Sequence, residues 1–147
     1  MNKIYPPVYL TMTIILMVVL HYLFPVIHVF AAPWSFSGII PLVAGLIIII
    51  WSARLFNQAQ TAIIPFKESS QLVTGGMYRF TRNPMYLSMV FILLGIALLL
   101  GSLTPFIPIP LFAWLITSLF ISKEEDMLEE RFGEEYLEFR TRVRRWI

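Results

Sequence analysis

Hydrophobic and polar positions in this chain come in long blocks. Val8 to Phe30 and Ile39 to Phe56 are almost uninterrupted apolar runs, and Met85 to Ser122 contains no charged residue. About 20 apolar residues are needed to cross the hydrocarbon of a bilayer, so each of the first two blocks predicts one spanning helix. The third is too long for one crossing and suits two, with Gly101, Ser102, Thr104 and Pro105 marking the turn of a helical hairpin. The pattern predicts an all-α, polytopic membrane helical bundle. Its four transmembrane spans are expected at about 8–30, 39–56, 85–101 and 105–122. Pro108 and Pro110 should distort the first turns of the fourth span, which neighbouring helices tolerate. Gly38, Gly45 and Gly95 permit close packing within a subunit or between subunits, which leaves the oligomeric state open.

After Ser122 the pattern changes to short alternations of charge and apolar residues. Met127, Leu128 and Phe132, then Tyr136, Phe139 and Val143, recur at helical spacing, with Gly133 as the expected break. Residues 123–147 therefore read as a C-terminal amphipathic cytoplasmic helix or helix pair. Its basic cluster, Arg140, Arg142, Arg144 and Arg145, beside Trp146, is read as an anchor on anionic headgroups or a cap on the bundle.

Composition agrees: 58% of the residues are hydrophobic and 14% charged, far from the usual balance of a soluble domain. With 147 residues, 1–147 is read as one domain. The absence of cysteine excludes disulfides, thiolate catalysis and cysteine-ligated metals. A formal charge of +2 gives no reason to expect nucleic acid as a partner. The N-terminus lacks the basic start and cleavage site of a signal peptide, so the first apolar run is expected to stay. With four spans, the turns at 31–37 and 101–105 lie on one side and carry no charge, while every Lys and Arg falls on the other. The positive-inside rule then places both termini in the cytoplasm.

Chemistry is concentrated between Leu72 and Tyr86. Gly75 and Gly76 allow unusual backbone conformations and close approach to a ligand. Pro84 pushes Asn83 out of the helical region and suits the first turn of the next helix. The loop thus delivers Arg79, Arg82 and Asn83 to the mouth of the third span. The hairpin brings the end of the fourth span, with Glu124 and Glu125, to the same depth. An Arg/Asn/Tyr cluster facing a carboxylate pair can hold a zwitterion. Ordinary salt bridging of solvated helix ends is the competing reading.

These residues resemble a known family. Gly76-Met-Tyr-Arg-Phe-Thr-Arg82-Asn83-Pro84-Met-Tyr86, then Glu124-Glu125, then Phe132-Gly133-Glu-Glu-Tyr136 and Val143-Arg-Arg-Trp146, are similar to the isoprenylcysteine carboxyl methyltransferase and phospholipid methyltransferase superfamily. The similarity runs from Leu72 to Ile147; the first two spans match only in being apolar. What it implies is an integral membrane enzyme that uses S-adenosylmethionine to methylate a lipophilic acceptor: an isoprenylcysteine-like carboxylate, a lipid amine or another hydrophobic molecule. Carried over, Gly76, Tyr78, Arg82, Asn83, Pro84, Tyr86, Glu124 and Glu125 become cofactor-site candidates, with Arg82 and Glu125 as catalytic candidates. Glu125 is the candidate for taking a proton from the acceptor or holding it near the sulfonium. Tyr78, Phe80 and Tyr86 would suit a sulfonium through cation–π contact.

Two positions depart from the family. Asn83 stands where the family often has His, and Asn cannot titrate near neutrality. Phe120 occupies the position at which the isoprenylcysteine branch has an arginine suited to a substrate carboxylate. Two other functions are kept beside the methyltransferase: an NADPH-dependent sterol-reductase-like enzyme, and a non-catalytic four-helix membrane adaptor. Other polar positions take structural readings. His21 and His28, seven apart on one helix face, are read as packing or interfacial residues, with no metal site. Asn57, Gln58 and Gln60 are read as capping the second span, and Lys67 and Glu68 as a solvated pair.

Overall fold

The computed structural model describes residues 5–59 and 71–147. Gln60, Lys67 and Glu68 lie outside the described residues. The chain forms α1 (Pro6–Leu23), α2 (Ile39–Gln58), α3 (Pro84–Leu100), α4 (Pro108–Ile116), α5 (Ser122–Phe132) and α6 (Glu134–Arg142), joined in part by short 3₁₀ turns. A π turn at Thr117–Ile121 links α4 to α5, so helical structure is continuous from Thr104 to Phe132. Among the described residues, three helices are long and apolar enough to cross a membrane: Pro6–Leu23, Trp34–Gln58 and Thr104–Phe132. The apolar α3, with 17 residues, is shorter.

The first span differs from expectation. Helix α1 ends at Leu23 rather than Phe30, because Pro25 disfavours helical backbone at Phe24 before it. The chain from Phe24 to Phe30 instead runs against the turn after α3. Val29 and Phe30 donate backbone N–H groups to the Gly101 carbonyl at 2.8 and 3.0 Å, and Leu103 donates to Ile27 at 2.9 Å. Gly101 has φ +78°, and a side chain there would run into the Phe30 carbonyl. His28 therefore does not share a helix face with His21. It reaches it from the extended segment, with ring centroids 6.0 Å apart. The His21 Nδ1 and the buried Ser102 Oγ share a hydrogen bond of 2.7 Å.

The bundle is organised on α3. Gly38, just before α2, and Gly45 within it face α3, and Cβ atoms there would collide with the Gly95 and Ser88 carbonyls. Gly95 in turn sits against Leu42. These glycines let two backbones approach within one subunit. Helices α1 and α4 cover the rest of α3, enclosing Met17, Leu93, Phe112 and Ile116. Only 11% of the residues in the apolar windows of the first two spans are buried, so their outward faces suit lipid.

Pro108, at the start of α4, and Pro110 fall where no helical N–H is needed. Gly133, with φ +51°, divides α5 from α6 as its position in the pattern predicts.

Candidate functional site

At the charged end of the bundle the chain makes a second, smaller core. Tyr78, Tyr136, Phe139 and Val143 are buried there, with Leu55 and Phe56 of α2 packed against them. Between this cap and the main core lie Arg82, Asn83, Tyr86, Glu124 and Glu125, so the polar loop and the carboxylate pair do meet. The π turn contributes to this placement. Each residue of an α-helix advances about 100°, so a one-residue widening re-aims everything after it. Phe120 and Ile121, at its end, are buried in the main core, and Glu125, four residues on, is buried at its edge.

The two adjacent glutamates have opposite surroundings. Glu125, 5% exposed, receives two guanidinium groups. Arg82 approaches Oε1 through Nε at 3.2 Å and Nη2 at 2.9 Å. Arg145 places Nη2 2.6 Å from Oε2 and Nε 3.2 Å from both oxygens. Burial alone would push this carboxyl up; the hydrogen bonds from Arg145 and Arg82, reinforced by their charges, outweigh it and hold the group below the ordinary carboxylate range. The remaining Arg82 donor, Nη1, bonds the Arg140 and Val143 carbonyls, each at 3.1 Å.

Glu124 is only half-buried and stands just past the apolar stretch that ends at Ile121. Among the described residues it has one hydrogen-bond partner, the Tyr86 hydroxyl, which donates to Oε1 at 2.8 Å, and no cationic partner. Burial pushes the Glu124 carboxyl up to about 7, against the smaller, opposite pull of the Tyr86 hydrogen bond. The nearby Tyr78 hydroxyl is also pushed up, first by burial and then by the Glu124 charge. Phe120 stacks obliquely near Tyr86, with centroids 6.5 Å apart. A carboxylate beside two tyrosines and without a cationic partner among the described residues suits a small organic cation. A sulfonium or ammonium group fits this donor set.

The other candidates face inward. Asn83 Nδ2 donates to the Arg145 carbonyl at 3.1 Å, and Pro84 is the first residue of α3. Gly76 has φ +58°, and the group approaching its backbone is the Leu55 side chain, where an added Cβ would lie 2.6 Å from Cδ1. Arg79 and Phe80 are exposed.

Sequence reasoning missed two residues. Thr81, buried, accepts the Asn83 N–H and donates to the Arg145 carbonyl, both at 3.1 Å. Arg145 belongs to this network rather than to a headgroup-binding cluster. Its neighbours in sequence are also spoken for: Arg140 pairs with Glu129 at 2.9 Å and Arg142 with Glu138 at 3.4 Å. A signal was present in the tail, since the buried Val143 and the packed Trp146 flank the arginines and tie that segment to the cores.

Comparisons with known proteins bear on this geometry. The family model described as phospholipid methyltransferase matches residues 33–135, so the likeness begins well before Leu72 and takes in α2. An uncharacterized protein of Haemophilus influenzae is 40% identical over 63 residues, 43% of this chain and 100% of its own length. A protein-S-isoprenylcysteine O-methyltransferase of Schizosaccharomyces pombe is 35% identical over 72 residues, 49% of this chain and 30% of that protein. A probable protein-S-isoprenylcysteine O-methyltransferase of Oryza sativa subsp. indica is 27% identical over 113 residues, 74% of this chain and 58% of that protein. The solved structure of the eukaryotic intramembrane Ras methyltransferase ICMT has the same fold, with a TM-score of 0.72 and 22% identity over 96% of this chain and 51% of that one. The chain thus spans 30% to 58% of these methyltransferases.

Proposed function

The chain belongs to the phospholipid methyltransferase family, and from that premise we propose that it transfers a methyl group from S-adenosylmethionine to a lipophilic acceptor at the cytoplasmic end of the bundle. The observation that carries this reading is Glu124, a half-buried carboxylate held by Tyr86 and lacking a cation of its own among the described residues. S-adenosylmethionine supplies an electrophilic methyl on a sulfonium. Around it, the task of the protein is alignment and exclusion of water. Glu124 balances positive charge, Tyr86 fixes the carboxylate's direction, and Tyr78, Tyr86 and Phe120 form an aromatic wall. The acceptor enters from lipid, past the apolar outer faces of the helices. An anionic acceptor needs no base; an amine or phenol must lose a proton, and Glu124, with its carboxyl near neutrality, takes it. Glu125, its charge held by Arg82 and Arg145, keeps the site's shape, and Arg82 and Asn83 act with it. Four spans, with both termini and every Lys and Arg on the cytoplasmic side, complete the arrangement.

The test is calorimetry of the full chain in detergent micelles. It should bind S-adenosylmethionine at about micromolar levels, and Glu124→Gln should weaken that binding about ten- to hundredfold, the worth of a lost charge-assisted contact. Affinity for S-adenosylmethionine should rise as pH climbs through about 7, because the ionised form of Glu124 attracts the cation, and the Gln variant should lack this rise. Unchanged binding in Glu124→Gln removes the basis of the reading, and tight NADPH binding in its place favours a reductase.

A further inference from the structure

We propose that Arg145 is a positioning residue of this site: with Arg82 it fixes the Glu125 carboxylate, and thereby the direction in which the adjoining Glu124 carboxylate faces. The inference rests on the donor-site reading above, in which Glu124 meets the cation.

Glu124 and Glu125 are consecutive on α5, so their side chains leave the helix about 100° apart and rotation of one carries the other. Helix α5 follows a π turn, so its rotation about its own axis depends on outside contacts as well as on the helical hydrogen bonds before it. Those contacts are concentrated on Glu125. Both hydrogen bonds to its Oε2 come from Arg145, while Oε1 is shared with Arg82.

Arg145 also fastens the other half of the site. Its backbone carbonyl accepts Thr81 Oγ1 and Asn83 Nδ2, both at 3.1 Å, and the preceding carbonyl, of Arg144, accepts the Arg82 N–H at 2.9 Å. One residue therefore joins α5 to the loop that leads into α3, the helix carrying Tyr86. Glu124 on one side and Tyr86 on the other are its downstream targets, and their 2.8 Å hydrogen bond reports whether the two halves are in register.

The experiment uses the full chain in micelles and two readouts. The first is binding of S-adenosylmethionine. The second is titration of the Glu124 carboxyl by NMR of ¹³C-glutamate-labelled protein, assigned by difference with Glu124→Gln. Among the described residues, the groups that face Glu124 are Tyr86 from α3 and Tyr78 from the turn before it, with Glu125 adjoining on α5. Arg145→Ala should weaken binding about tenfold and return the Glu124 titration toward the ordinary carboxylate range. Arg145→Lys should restore most of both, and Arg144→Ala, whose side chain is exposed, should change neither.

Wild-type behaviour of Arg145→Ala in both readouts overturns the proposal. An equal loss in Arg144→Ala overturns it too, since that marks general attraction of the tail to headgroups. If Arg145→Ala does not fold, Glu125→Gln decides. That variant removes the ion pair while keeping the side chain's shape, and an unmoved Glu124 titration in it refutes the positioning role. Should the wild type bind no S-adenosylmethionine, the donor reading fails on its own. The NMR titration still answers for Arg145.

Discussion

At the uncharged end of the bundle, the Phe24–Phe30 segment and the turn after α3 are joined by three backbone hydrogen bonds. At the charged end, the 81–83 loop, the start of α5 and the 140–145 segment are joined chiefly through side chains: two guanidiniums, a carboxylate, an amide and a hydroxyl. The first closure works with many side chains, provided Gly101 keeps its left-handed conformation. The second works only with particular residues, and it holds the group proposed to meet the cation. A backbone closure is easily broken by a backbone change and barely touched by a charge change. For the side-chain closure the reverse holds. This difference is open to mutation at both ends.

The largest effect is expected at Arg82. The Arg82 and Glu125 side chains are 9% and 6% exposed, and removing one partner of a buried pair strands the other's charge. Arg82→Ala should therefore cost about 3–5 kcal/mol of stability, read from thermal or denaturant unfolding in micelles. Glu125 would keep Arg145, whose side chain is 37% exposed, so the loss should fall toward the lower end. A cost below about 1 kcal/mol would mean that the charged end is closed by its aromatic cap rather than by the ion pairs.

Next in size is Gly101→Ala, which tests the opposite end. It asks an alanine to adopt φ +78° with its Cβ driven into the Phe30 carbonyl, which should cost about 1–3 kcal/mol. S-adenosylmethionine binding by the folded fraction should be unchanged, because no residue of the charged end is disturbed. If Gly101→Ala weakens binding as much as Glu124→Gln does, the two ends are coupled along α3 and the separation drawn here is wrong.

The ends also differed in how far the sequence revealed them. Apolar blocks and uncharged turns were enough to find the helices. The all-helical fold and its likeness to a membrane methyltransferase follow, while among the described residues three helices, not four, have spanning length by themselves. Convergence of Arg82, Asn83 and Glu124–Glu125 was legible because a hairpin must return the chain to the same depth. The division of labour between the two glutamates was not. It depends on a π turn that leaves no mark in the hydrophobic pattern, and on Arg145, whose side chain looks like a headgroup anchor until its docking is seen. Pro25 carried a signal for the end of α1, but the apolar pattern runs on to Phe30 and hid it. Where the extended segment goes afterwards is set by tertiary pairing with residues more than 70 positions away, which local patterns do not encode.

The smallest effect is expected from Ser102→Ala. Ser102 is fully buried at the uncharged end and shares a 2.7 Å hydrogen bond with His21. His21 is only half-buried, so once the hydroxyl is gone its ring nitrogen can reach water or the headgroup region. The loss should be about 0.5–1.5 kcal/mol, the net worth of one hydrogen bond. The three backbone bonds beside it do not use the Ser102 side chain and should persist, visible as unchanged amide exchange protection at Val29, Phe30 and Leu103. A loss of that protection, with a stability cost near the one expected for Arg82→Ala, would show that this end too is held by a side chain. The contrast between a backbone closure and a charge closure would then fail at the end where it is simplest.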